Sequence, residues 1–238
     1  RQGSDYIRLH LRIEGQGFAD DAFVRLTSAL DQSFDIPLSE IGEEGYWTDL
    51  LPLGRVRIAL VSKTKPEAGA LLIEEMAIQR TKGTLYSPWG ENEIMPINAQ
   101  EVPEAVRARS APIAFLSFID GGFARTCTGF LIAPDLLATN EHCINSDQTC
   151  RSMTAVFGYE FDLENRLVMG PQLRCANYDA QRTSFDFDIS VIRLTRPLGP
   201  EFPPVDIAAA SPSSEGPLFI IQHPGSQPKQ VSFINGAA

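Results

Sequence analysis

Residues 127–143, CTGFLIAPDLLATNEHC, set an imidazole, His142, directly beside Cys143, with Cys127 at the other end of the run. An imidazole titrates near neutrality, so it can take a proton from a nucleophile and return it to a leaving group. A carboxylate on its second ring nitrogen makes it a better base by fixing the tautomer and stabilising the imidazolium. Two carboxylates suit that role, Asp186 and Asp188, at the start of the apolar run Ile189-Ser190-Val191-Ile192-Arg193-Leu194.

The elements that must hold these groups are short strands. Gly129 to Ile132 reads as a strand, Pro134-Asp135 as a turn and Leu136 to Thr139 as a second strand, a hairpin by pattern. His142 then falls just past a strand end, where a rigid scaffold presents working side chains. Cys127 and Cys143, 16 residues apart at the two ends of the hairpin, are close enough to be joined. A bridge closing that loop contributes about 3 kcal/mol and tethers the segment that carries His142. The same atoms offer a zinc set, Cys127, His142, Cys143 and Cys150. It lacks paired C-x-x-C or H-x-x-x-H spacing, and adjacent side chains in an extended segment diverge.

The string C-x-G-x-L-I followed by T-x-x-H-C resembles the trypsin-like (chymotrypsin-fold) serine peptidases, bacterial secreted members included. Asn140 and Glu141 stand where that family usually has two small residues. The segment Asp188 to Leu194 resembles the family strand whose leading aspartate orients the histidine. The resemblance implies that His142 is the general base and Asp188 its orienting carboxylate, 46 residues further on. In chymotrypsin, the standard case of this chemistry, the separation is about 45 residues. Asp186 remains the rival, since residues i and i+2 share a face of a strand. Of the three pairings open to four cysteines, Cys127 with Cys143 and Cys150 with Cys175 is the one that fits the resemblance. Two disulfides imply an oxidising compartment, hence a secreted or periplasmic protein; four reduced cysteines in a cytosolic fold are the alternative.

A serine hydroxyl is a poor nucleophile without such a base, and the family supplies one in a G-x-S-G frame. No such string occurs in the 238 residues, and Ser190, Ser211, Ser213, Ser214, Ser226 and Ser232 all lack it. In chymotrypsin the serine follows the aspartate by about 90 residues. The start at Arg1 and the end at Ala238 are accordingly read as those of a piece truncated before the nucleophile. The tail, PLFIIQHPGSQPKQV (217–231), resembles the I-x-H-P-G-G-x-x-K segment that opens the second barrel in bacterial members. His223 there is read as a turn-bordering histidine in preference to a second catalytic one.

A net charge of −10 and a pI of about 4.8 argue against a nucleic-acid partner, which needs a basic face. No apolar run approaches the ~18 residues of a membrane span. No cofactor or metal is expected. Asn145-Ser146-Asp147 offers oxygen ligands for calcium, but such loops are commonplace and a solvated turn is preferred.

The first hundred residues read differently. Tyr6 to Ile13 alternates Ile7, Leu9, Leu11 and Ile13 with Arg8, His10 and Arg12, a strand with one buried face. Ala22 to Thr27, Arg55 to Ser62 and Leu71 to Gln79 follow as strands, giving an antiparallel β-sandwich. The segment Gly45 to Val56 resembles a stretch of the β-sandwich regions preceding some bacterial secreted peptidases. Tyr46, Trp47 and Trp89 could form a platform for a carbohydrate or protein ligand, although packed aromatics are preferred. The acidic pairs Asp20-Asp21, Glu43-Glu44 and Glu74-Glu75 are read as solvated surface, because strand neighbours face opposite sides.

Five prolines and glycines between residues 86 and 112 mark a linker, with a boundary near residues 95–110. Glu104 to Arg109 within it is either a short helix or an exposed processing site. The expectation is an all-β chain: an accessory β-sandwich (1–98), then a trypsin-like domain (99–238) comprising the first barrel of a chymotrypsin-like double β-barrel and the start of the second. Its function would be serine endopeptidase action on protein or peptide substrates, with the piece itself inactive. The alternative is a binding protein on the same fold that has lost its serine.

Overall fold

The computed structural model describes residues 5–29, 31–64, 68–79, 94–207 and 218–234. Trp89, Ser211, Ser213 and Ser214, named above, lie outside them. The chain divides into two compact units, residues 1–80 and 81–238. Both are built almost wholly of strands.

The first unit is a two-sheet β-sandwich. Among the described residues its strands are β1 (Tyr6–Gln16), β2 (Phe23–Thr27), β3 (Ser33–Pro37), β4 (Tyr46–Trp47), β5 (Leu51–Pro52), β6 (Arg57–Val61) and β7 (Ala68–Gln79). One sheet pairs β1 with β4 and β5 along one edge and with β7 along the other; the second has the order β3-β2-β6. The period-two pattern of β1 decides which face is core: Ile7, Leu9 and Leu11 pack with Val24, Leu26 and Ile36 of the facing sheet. The opposite face is not all solvated. Arg8 is buried, its Nε donating to the Thr48 carbonyl at 2.8 Å while the guanidinium lies 5.9 Å from the centre of the Trp47 ring. Trp47 also packs on His10, with ring centroids 5.0 Å apart, and Tyr46 packs against the core, so both aromatics supply packing.

The acidic pairs are more engaged than solvated surface implies. Asp21 pairs with Lys63, and Glu74 bridges His10 (3.3 Å) and Arg12 (2.9 Å) beside a bulge between β1 and β7.

In the second unit β8 (Met95–Pro96) and helix α1 (Glu104–Arg107) precede the strands β9 (Ile113–Asp120), β10 (Phe123–Ala133) and β11 (Leu136–Thr139). Residues 104–107 are thus helical, of the two readings left open. Helix α2 (Asp147–Ser152) and strands β12 (Thr154–Phe157), β13 (Glu160–Phe161), β14 (Leu167–Val168), β15 (Gln172–Tyr178) and β16 (Ser190–Leu194) follow. Six strands close a barrel in the order β10-β11-β16-β15-β12-β9. Leu116, Leu131, Leu137, Ala155 and Ile192 fill it, each without measurable exposure. Burying a leucine of this kind contributes roughly 1.5–3 kcal/mol. Gly129 is required by this packing, because a Cβ there would drive into Leu137 and lie 3.1 Å from Leu116 Cδ1.

Ser146 caps α2, its hydroxyl accepting from the Thr149 amide at 3.2 Å with the return contact also made. The Asn145-Ser146-Asp147 segment is therefore a helix start. Strands β17 (Leu218–Gln222) and β18 (Gln230–Ile234) form a hairpin that adds β8 to make a separate three-stranded sheet over Ile97, Val102 and Val106.

Candidate active site

The pairing of β11 with β16 sets the site. Their antiparallel register places Thr139 opposite Ser190, so residues shortly after Thr139 and shortly before Ser190 emerge at the same end of the barrel. His142 follows in a turn closed by the Cys143 amide donating to the Asn140 carbonyl at 3.2 Å. Cys127 and Cys143 form a disulfide that ties this turn to β10, and Cys150 is bonded to Cys175. No free cysteine remains among the described residues, which leaves no thiolate for the zinc set. Thr139 Oγ1 donates to the Thr128 carbonyl at 2.8 Å, a second tie between the same strands.

On the other side, Ser184 and Ile189 bridge the base of a short loop, and Asp188 within it has φ of 50°. The sequence pattern starts the strand at Asp188, whereas the ladder begins at Ser190. The left-handed turn is the reason, and aspartate is one of the few side chains that tolerates it. The turn also decides between the two carboxylates: none of the hydrogen bonds of the His142 ring goes to Asp186. Asp188 instead meets it, Oδ2 lying 2.8 Å and Oδ1 3.0 Å from His142 Nδ1. Asp188 Oδ1 also accepts from the His142 backbone amide at 3.0 Å.

These contacts favour the charged carboxylate. The His142 backbone N–H is the first cause that holds Asp188 below its ordinary range; the His142 ring and the Asn140 amide act the same way, against the cost of desolvation. An Nδ1 committed to a carboxylate leaves Nε2 as the free lone pair of the neutral ring. His142 is 67% and Asp188 44% exposed at the side chain, so Nε2 is open to a reactant. Phe185 and Phe187, 82% and 78% exposed, precede Asp188 in the same loop.

The third histidine is far more constrained than its turn setting implies. His223 is 4% exposed, stacked at 5.8 Å on Tyr159 and edge-on at 5.5 Å to Phe115. Nδ1 contacts the Gln227 carbonyl at 3.1 Å, and Nε2 is buried without a hydrogen-bond partner. Burial, helped by repulsion from Lys229, pushes its pKa down to about 3, so it is neutral at physiological pH. Lys229 is itself buried, donating to the Ser110 carbonyl at 2.9 Å and pairing with Glu160 at 3.0 Å. Burial lowers its pKa, against the pull of Glu160.

Sequence reasoning missed the contact of Asn140 with Asp188, the burial of Lys229 and the exposure of the two phenylalanines. The signal for the first was present, a polar residue where the pattern has a small one. A buried lysine at position 229 has no local signal, since its partners are 69 and 119 residues away in sequence.

Comparison with known proteins returns one family: the model "Trypsin-like peptidase domain" matches residues 127–238. The uncharacterized protein y4fB of Sinorhizobium fredii (strain NBRC 101917 / NGR234) is 28% identical over 197 residues, which cover 74% of this chain and 29% of that protein. The chain thus spans less than a third of that relative's length. Among solved structures, the scabies mite inactivated protease paralogue S-I1 aligns with a TM-score of 0.37 and 15% identity, over 53% of this chain and 61% of that one. A structure of GrC aligns with a TM-score of 0.39 and 19% identity, over 53% and 60%.

Proposed function

We propose that the protein, whose residues 127–238 match the trypsin-like peptidase domain, is a serine endopeptidase in which His142 is the general base and Asp188 its orienting carboxylate. The single observation that carries this reading is the 2.8 Å contact between His142 Nδ1 and Asp188 Oδ2. In this mechanism the serine oxygen attacks the scissile carbonyl carbon as its proton passes to His142 Nε2. The imidazolium, balanced by Asp188, then delivers that proton to the leaving amine. Water repeats the sequence on the acyl-enzyme. The serine must stand in a G-x-S-G frame, a string absent from residues 1–238, so the mechanism requires that frame elsewhere in the whole protein. The accessory β-sandwich would be the first compact unit, residues 1–80, and the peptidase portion would lie in the second, which also takes in β8 and Ile97 ahead of residue 99. Two disulfides fit a secreted or periplasmic site of action, and among the described residues no helix is long and apolar enough to cross a membrane.

The test uses the whole gene product with peptide substrates and a fluorophosphonate label. His142→Ala should abolish labelling of the serine, and Asp188→Asn should lower kcat by about 10⁴, the loss known for trypsin-type enzymes. Full activity in His142→Ala would overturn the proposal. So would a whole protein without a G-x-S-G serine, which would favour a binding protein on this fold.

A further inference from the structure

Asn140 and Glu141 occupy the two places between Thr139 and His142 where the trypsin-like pattern carries small side chains. The asparagine uses its extra atoms. Its Nδ2 donates to Asp188 Oδ2 at 3.0 Å and lies 3.2 Å from the Asp188 carbonyl. The amide orientation is fixed by chemistry: turned over, Oδ1 would face two acceptor oxygens.

The two Asp188 oxygens thus have separate anchors. Oδ1 accepts from the His142 backbone amide, whereas Oδ2, the oxygen nearest His142 Nδ1, is anchored by Asn140. A planar carboxylate with one anchor can still rotate about its Cβ–Cγ bond, and with two it cannot without breaking one. Rotation is a real alternative here because Asp188 is 44% exposed, so water is available to take the displaced oxygen. The second Asn140 contact bears on the backbone. Asp188 holds φ of 50°, a conformation that costs a non-glycine residue energy, and a donor on its carbonyl opposes relaxation of that peptide.

We propose that Asn140 is a positioning residue for the His142–Asp188 pair: its amide fixes the carboxylate plane and the left-handed peptide of Asp188 so that Oδ2 faces His142 Nδ1. This rests on the proposed roles of His142 and Asp188, and it goes beyond them in assigning a function to a position where the family pattern requires only a small residue. Asn140 acts through Asp188 and takes no proton.

The readout is the tautomer of the neutral His142 ring, from its 15N shifts, together with the carboxyl 13C titration of Asp188, in the chain as it stands. The parent should hold the Nδ1–H tautomer. Asn140→Ala should give a mixture with Nε2–H, and the Asp188 midpoint should rise towards the ordinary carboxylate range, because a donor to the charged form is gone. Asn140→Asp, almost the same shape, sets a second carboxylate against Oδ2 and should exceed the alanine change in both readouts; it also serves if the alanine variant folds poorly. Unchanged amide signals of Leu131 and Leu137 would certify the barrel in each. Asp188→Asn is the reference that removes the acceptor. If it shifts the tautomer while both Asn140 variants match the parent, the positioning role is refuted and the pair survives. If Asp188→Asn itself leaves the tautomer unchanged, the pair fails and the proposed function with it.

Discussion

Acidification should destabilise the second unit through His223 before the exposed carboxylates titrate. The ring is enclosed by Tyr159 and Phe115, and its one polar contact uses Nδ1. A second proton would sit on Nε2, which has no acceptor, in a site already facing the Lys229 ammonium. The folded pKa of about 3 lies below the unfolded value of 6.5, so the native state binds fewer protons between those limits. Stability is therefore fully present above pH 6.5 and is lost as pH falls towards 3. The whole span corresponds to about 5 kcal/mol, at about 1.4 kcal/mol per pH unit, and about 3 kcal/mol of it is gone by pH 4.5. Domains of this size are stable by only about 5–15 kcal/mol, so the loss is a large fraction of the total.

Urea unfolding followed by the NMR methyl signals of Leu116 and Leu131 reads the barrel alone. Asp162 and Asp188, held below the ordinary carboxylate range, also lose stabilisation on acidification, but only as the pH falls into and below that range, so the comparison belongs above pH 4.5. The parent should lose about 3 kcal/mol from pH 7 to 4.5. His223→Phe keeps the aromatic packing and removes the titration, so its stability should be nearly flat over that interval. Equal slopes in parent and variant would refute the assignment of the acid sensitivity to His223.

Two further outcomes follow from the barrel. Gly129→Ala should destabilise this unit by about 1–3 kcal/mol, measured in the same urea experiment, because Leu137 and Leu116 already occupy the space of the new methyl. Replacing Cys127 and Cys143 together by alanine reopens a loop spanning 16 residues and should cost about 3 kcal/mol of stability, with exchange broadening at the His142 amide as the turn loses its tether.

The parts of the site legible in sequence were those carried by short-range pattern. The hairpin, the Cys127–Cys143 spacing of 16 residues and the run after Asp188 are each local in sequence, and the structure brings them together as β10, β11 and β16. The sandwich strands at Tyr6, Leu71 and Arg57 were legible for the same reason. Strand β3, of five residues with only Phe34 and Ile36 facing inward, gave too short an alternation to register. Arg8 looked solvated because its period is polar, and only the distant Trp47 and Thr48 cover it. The family pattern favours Asp188 over Asp186, but the left-handed turn that presents it is something a period-two reading cannot supply.

The Lys229 anchor bears on the order of events during synthesis. Its ammonium closes on Ser110, 119 residues earlier, while the Ser226 hydroxyl meets Thr126 across 100 residues. At about 5–20 residues per second, a ribosome needs on the order of 10 s to deliver the later partner after the earlier one. Throughout that interval Phe115 and Tyr159 lack the His223 ring that covers them, so an incomplete chain exposes aromatic surface that the finished one hides. Contacts this far apart slow folding and lengthen exposure to aggregation. A cell that makes this protein thus has a defined window, ending when residue 229 clears the exit tunnel, in which a holdase would do the most good.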